Sequence, residues 1–141
     1  MKHKKVLIII LILMFTIFAV YRWRTNSINS IHEHINITDV ESVEIEGSAI
    51  KGDVRIATEN EMKDIVNWFN SISDIRKNKD FRGTTSESHI IILLKSKNKI
   101  SVSRSGWNFE VQRYDKSGKW ISYWGKQPDI ERILEEAARK Y

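Results

Sequence analysis

Four histidines, eighteen acidic residues and numerous serines are the groups of this chain that could ligate a metal, move a proton or attack a carbonyl. His32-Glu33-His34 sets two imidazoles on one side of an extended segment, and His89 could supply a third ligand to zinc or copper. The pattern is short and lacks the HExxH spacing that places two histidines on one helix face, so solvated histidines in a tether are expected instead. Glu41, Glu44, Glu46, Glu59, Glu61 and Asp64 offer carboxylates, but strand alternation and helix capping already account for them. No GxSxG elbow frames any serine, and the six glycines are dispersed through separate turns with no phosphate-cradling loop. The chain is expected to be no enzyme and to bind no cofactor or metal.

Two other groupings are candidates for binding. Trp107, Phe109, Tyr114, Trp120, Tyr123 and Trp124 crowd into two adjacent strands of one expected hairpin. Alternation aligns Trp107, Phe109 and Val111 on one face, Trp120 and Trp124 on one side of the next strand, and Ile121 and Tyr123 on the other. One sheet face cannot bury all of them, so Trp107, Trp120, Tyr123 and Trp124 are candidate contacts for a partner protein or for sugar rings. Arg76, Lys77, Lys79 and Arg82 form a basic stretch that could meet an anionic polymer or lipid headgroups. Charge blocks in sequence commonly mix in space, however: residues 25–75 hold 3 basic and 10 acidic residues, residues 76–127 hold 12 and 4, and pairing between them is expected.

The elements that must hold these residues read as a small α+β domain. Val43-Glu44-Ile45-Glu46 and Val54-Arg55-Ile56 alternate as two strands of a hairpin. Thr58 and Glu61 fit a capping box, followed by Met62, Ile65, Val66, Phe69 and Ile72 at helical spacing. A long polar loop is expected over residues 74–88. Four strands then follow as a meander, at residues 89–94, 100–103, 107–111 and 120–124. Pro128 opens a second amphipathic helix through Ile130, Ile133, Leu134, Ala137, Ala138 and Tyr141, with acids in its first turn and bases in its last. The expected order is β-β-α-β-β-β-β-α, an antiparallel sheet with two helices packed on one face.

Ahead of this domain, residues 6–20 read VLIIILILMFTIFAV with Thr16 alone polar. Extended to Trp23, the run makes a helix of about 27 Å, enough for a transmembrane anchor. A small-residue cleavage site is poorly formed, which argues against a removed signal peptide. Lys2, Lys4 and Lys5 before the segment, against Arg22 and Arg24 after it, favour a cytoplasmic N-terminus. The expected organisation is a cytoplasmic tail over 1–5, an anchor over 6–23, a tether over 24–39 and an extracytoplasmic domain over 40–141. The formal charge of +5 comes wholly from the anchor's flanks, because residues 25–141 balance 18 bases with 18 acids. No nucleic-acid partner is expected.

The chain has no cysteine, and its 22 Ile, 14 Lys and 9 Asn against 5 Ala and 1 Pro point to an AT-rich genome, with a Gram-positive bacterium as the expected source. With its VLIIILILMF anchor, ENEMKDIVNWF helix and closing GKWISYWGKQPDIERILEEA segment, the chain resembles in architecture small extracytoplasmic domains of Gram-positive bacteria tethered by a lipid or one helix. That resemblance transfers no functional residue. The expected role is a non-enzymatic interaction module at the cell membrane that binds another envelope protein in an accessory, inhibitory or immunity-type role. The alternative is a module for cell-wall carbohydrate or polyanion.

Overall fold

The computed structural model describes residues 2–29, 31–47, 53–78, 87–105 and 108–139, with the side chains of the first helix described at 9–22. The chain forms two compact units, residues 1–32 and 33–141.

The first unit is built on helix α1, Lys2–Asn29, whose 28 residues make about 42 Å of helix. Every described side chain from 9 to 22 is exposed. Thr16 donates its hydroxyl back to the carbonyls of Ile12 and Leu13, both at 2.9 Å, so the single polar side chain in this apolar stretch is satisfied within the helix. Among the described residues no helix is long and apolar enough to cross a membrane. The expected span over residues 6–23 therefore lacks support from the described residues.

The second unit is an α+β fold: β1 (Val40–Glu46), β2 (Val54–Ile56), α2 (Glu59–Asn70), β3 (Ser73–Lys77), β4 (His89–Leu94), β5 (Lys99–Ser105), β6 (Asn108–Tyr114), β7 (Trp120–Lys126) and α3 (Pro128–Arg139). Its seven strands form one antiparallel sheet in the order β2-β1-β4-β5-β6-β7-β3. The capping box at Thr58 and Glu61 starts α2. At α3 the Gln127 side chain accepts from the Asp129 and Ile130 amides at 2.6 and 2.9 Å, while Pro128 fills the first helical position.

Pairing register sorts the side chains into two faces. Val43, Ile45, Ile90, Ile92, Ile100, Val102, Phe109, Val111 and Tyr123 share one face and are all buried. Ile65, Val66 and Phe69 of α2 and Ile130 and Leu134 of α3 are the buried helical counterparts of that core. At Gly125 the backbone must pass beneath Ile72: a Cβ there would overlap Ile72 Cγ2 and lie 3.3 Å from the Phe109 ring. Glycine meets that close approach because it has nothing to clash.

The expected loop over 74–88 is corrected in its first part, since residues 73–77 form β3, an edge strand antiparallel to β7. Ser73-Asp74-Ile75-Arg76-Lys77 has no apolar alternation, because an edge strand with little buried surface is selected by the backbone groups of its neighbour. The segment before β1 is also folded. Ile35 is buried, and the Asn70 amide pairs with both its N–H and its C=O at 2.9 Å, standing in for a strand partner. Arg113 donates to the Glu33 carbonyl at 2.8 Å and lies 3.5 Å from its carboxylate.

Candidate functional site

The second face of the sheet collects the polar and aromatic side chains left over from the core. Register runs one row across it: Glu46, His89, Ser103, Glu110, Trp124 and Arg76 are successive cross-strand neighbours from β1 to β3. A parallel row holds Ile91, Ser101, Gln112 and Ser122. Beyond it, Tyr114 pairs with Trp120.

The candidates separate cleanly. Trp120 is 40% exposed and Tyr114 48%, and their rings meet edge to face with centroids 4.8 Å apart. Trp124 is half-buried on the same face. Tyr123 lies on the opposite, core face with no exposed surface, where burial pushes its hydroxyl pKa up against the opposing pull of Arg113. It is therefore no part of an exposed platform. Trp107 lies outside the described residues.

The basic stretch also divides. Arg76 sits opposite Trp124 and Lys77 opposite Tyr123, so alternation sends the two to different faces. Lys79 and Arg82 lie outside the described residues. Arg76 and Lys126 both reach the Asp74 carboxylate, at 3.0 and 3.2 Å, and together they hold its pKa below the usual range. Asp74, Arg76, Trp124, Gly125 and Lys126 line a cavity of about 280 Å³. The structure thus joins one residue from each candidate group, Trp124 and Arg76, in a single depression whose charge is partly neutralised by Asp74.

Beside it lies Glu110, 4% exposed. One of its oxygens accepts from Asn78 Nδ2 at 2.9 Å and from the Ser122 hydroxyl, and Asn78 further donates its backbone N–H to the Ser122 carbonyl at 3.3 Å. No cation pairs with this carboxylate among the described residues. Glu110, Asn78 and Ser122 were not legible as a site in the sequence. The only signal was that Glu110 and Gln112 alternate with Phe109 and Val111, and Asn78 reaches them only because β3 pairs with β7.

Ser103 stands between His89 and Glu110 in register, yet no hydrogen bond joins it to either among the described residues, so no base is set to activate it. His89 is half-buried, and desolvation lowers its pKa, with Glu46 opposing and Lys99 assisting. No group of three His, Cys, Asp or Glu among the described residues could hold a metal ion, and His34 is exposed. The Tyr114–Trp120 pair in solvent, the half-buried Trp124 indole and the hydrogen-bonded Glu110 cluster share this face. No protein-family model, no curated protein and no solved structure matches the chain.

Proposed function

We propose that this chain is a single-pass, membrane-anchored, non-enzymatic binding module of a bacterial envelope. Its sheet domain faces outward and engages another envelope protein through the outer face of the sheet. The observation that carries the reading is the exposed Tyr114–Trp120 pair. Amphipathic aromatics of this kind supply large contact area at small entropic cost and are enriched at the energetic centres of interfaces. Every other described aromatic of β6 and β7 is buried or half-buried.

For the anchor, the support is the apolar sequence over residues 6–20, broken only by Thr16, its basic flank at Lys2, Lys4 and Lys5, and a helix that continues through all of it. With Lys2, Lys4 and Lys5 retained inside, the sheet domain lies on the outer side of the membrane. The test is photo-crosslinking in cells from positions 114 and 120. Specific protein adducts are expected from both, those from position 114 vanishing with Trp120→Ala, and adducts indistinguishable from those at a remote position would sink the reading.

A second reading, a cell-wall carbohydrate or polyanion module, is favoured by one observation: the fixed Glu110–Asn78–Ser122 cluster beside Trp124. Sugar recognition combines an indole face for the C–H surface with rigid acceptors for hydroxyls. Residues 33–141, a compact unit, would be co-sedimented with purified sacculi at low and high salt. Binding that survives salt and fails in Trp124→Ala supports the sugar version. Binding that salt abolishes points to Arg76, Lys77 and a polyanion, and no binding at either salt removes both.

A further inference from the structure

The two edges of the sheet are built differently. At one end β3 exposes Ser73, Asp74, Arg76 and Lys77, shifts register between Ser73 and Arg76, and ties its charges into ion pairs. Those are devices that keep other strands from adding to an edge. At the other end β2 pairs with β1 without a register shift, and its one charge, Arg55, is tied to Glu61. Val54 and Ile56 are 50% and 60% exposed on it.

The hydrogen-bond pattern says what this edge presents. Gly47 N–H donates to the Asp53 carbonyl at 3.0 Å and Ala57 N–H to the Val43 carbonyl at 2.8 Å. Antiparallel alternation therefore turns residues 53, 55 and 57 inward to β1, and the N–H and C=O of Val54 and Ile56 outward. No described residue hydrogen-bonds those four groups. Beneath the edge, on the helix side, a groove of about 320 Å³ runs between β2 and α3, lined by Ile45, Val54, Ile133 and Ala137 with Asp53, Arg55 and Glu136 at its rim. Arg55 is paired with Glu61 and Glu136 with Arg132, which leaves Asp53 as the rim carboxylate without an ion pair among the described residues.

We propose that the edge of β2 is a strand-addition site for an extended segment of another envelope protein. The segment carries apolar residues opposite Val54 and Ile56, with a lysine or arginine meeting Asp53. It gains the four outward backbone groups of Val54 and Ile56, covers two exposed β-branched side chains, and lets the side chain between its apolar positions descend toward Ile133 and Ala137. In the register that sets Val54 against Ile56, two β2 strands about a twofold axis would put Arg55 directly opposite Arg55, a like-charge pair that destabilises an antiparallel ladder; a second copy in the register Val54 against Val54 is the competing occupant that the test separates. This inference rests on the reading of the chain as a protein-binding module, but on a different surface from the Tyr114–Trp120 face.

The test uses the full chain in its own cells with a photo-crosslinking residue at position 54, and at 120 and 96 for comparison. The expected result is an adduct from position 54 whose mapped partner peptide alternates apolar residues and includes a basic one. Ile56→Pro removes an outward N–H without breaking a bond to β1, so it should reduce this adduct roughly tenfold, as the loss of about one backbone hydrogen bond and its neighbours would. Ile56→Val should retain it. Should Ile56→Pro unfold the hairpin, Asp53→Lys provides the same test through charge, with a clear fall in adduct expected. An adduct with a second copy of the chain, a mapped partner surface that is helical, or an adduct insensitive to both Ile56→Pro and Asp53→Lys overturns the edge proposal. Adducts from position 120 alone overturn it while leaving the protein-binding reading intact, and adducts from neither position overturn both.

Discussion

Gly125 shows how one residue fixes the relation between the sheet and its helices. Its position on β7 lies under Ile72, the residue that follows α2, and there is no room for a methyl group. Gly125→Ala should destabilise the domain by about 1–3 kcal/mol, the usual range for an overpacked core, as read from urea unfolding. Combined with Ile72→Ala the loss should be smaller than the sum of the two single changes, because the same space is being contested; strict additivity would show that the clash is not the cause. A second residue, Glu61, makes a prediction in pH. Its carboxyl is held down to about 2, first by the Arg55 guanidinium and then by the Thr58 amide. A carboxyl with a depressed folded pKa contributes stability that is complete above about pH 4.5 and lost as pH falls toward 2. Glu61→Gln should therefore be less stable than the natural chain by about 0.5 kcal/mol at pH 7, a small figure because the pair is solvent-screened. The gap should close as pH drops from 4.5 toward 2, and a gap constant across that range would refute the assignment.

At the scale of elements, the amphipathic pieces were legible because each encodes its own burial. The α2 capping box, the α3 start at Pro128 and the 89–94 strand needed no tertiary information, and alternation correctly set Trp120 and Trp124 apart from Tyr123. What could not be read was anything that depends on a neighbour. β3 has no buried stripe, so only β7 selects it as a strand. Asn78 enters the Glu110 cluster as a consequence, and which face of the aromatic hairpin the helices would cover was undecidable, because both faces of β7 are aromatic. The docking of residues 33–39 belongs to the same class. It depends on the Asn70 amide copying a strand partner for Ile35, with Arg113 gripping Glu33 from β6. Asn70→Ala should cost about 1–2 kcal/mol, since it strands a part-buried N–H and C=O. Hydrogen exchange at the Ile35 amide should accelerate in that variant while the β5 and β6 amides stay protected. Unchanged exchange at Ile35 would mean the segment is held by other contacts.

For the molecule as a whole, the charge map resolves into internal pairing: acidic residues of the first half meet basic residues of the second at Glu41–Lys97, Glu33–Arg113, Glu33–Lys116 and Asp74–Lys126. Four basic residues of the 76–127 segment are thereby shared among three carboxylates, Glu33, Glu41 and Asp74, so part of its basic excess is met within the fold. This pairing also leaves the flanks of the apolar segment as the main net charge, the feature that sets orientation in a bilayer. The absence of cysteine makes that orientation directly testable. Ser96 lies exposed in the turn between β4 and β5, so Ser96→Cys should add one accessible thiol without disturbing the sheet. In intact cells a membrane-impermeant maleimide should label it as fully as in broken cells, with the labelled chain found in the membrane fraction. Replacing Lys2, Lys4 and Lys5 with alanine leaves Arg22 and Arg24 as the dominant flank and should lower the labelled fraction in intact cells, because those charges would then be retained inside. Labelling only after the cells are broken would place the domain in the cytoplasm and remove the envelope-facing function with it. Full labelling in a soluble fraction would instead show a secreted domain freed from its anchor.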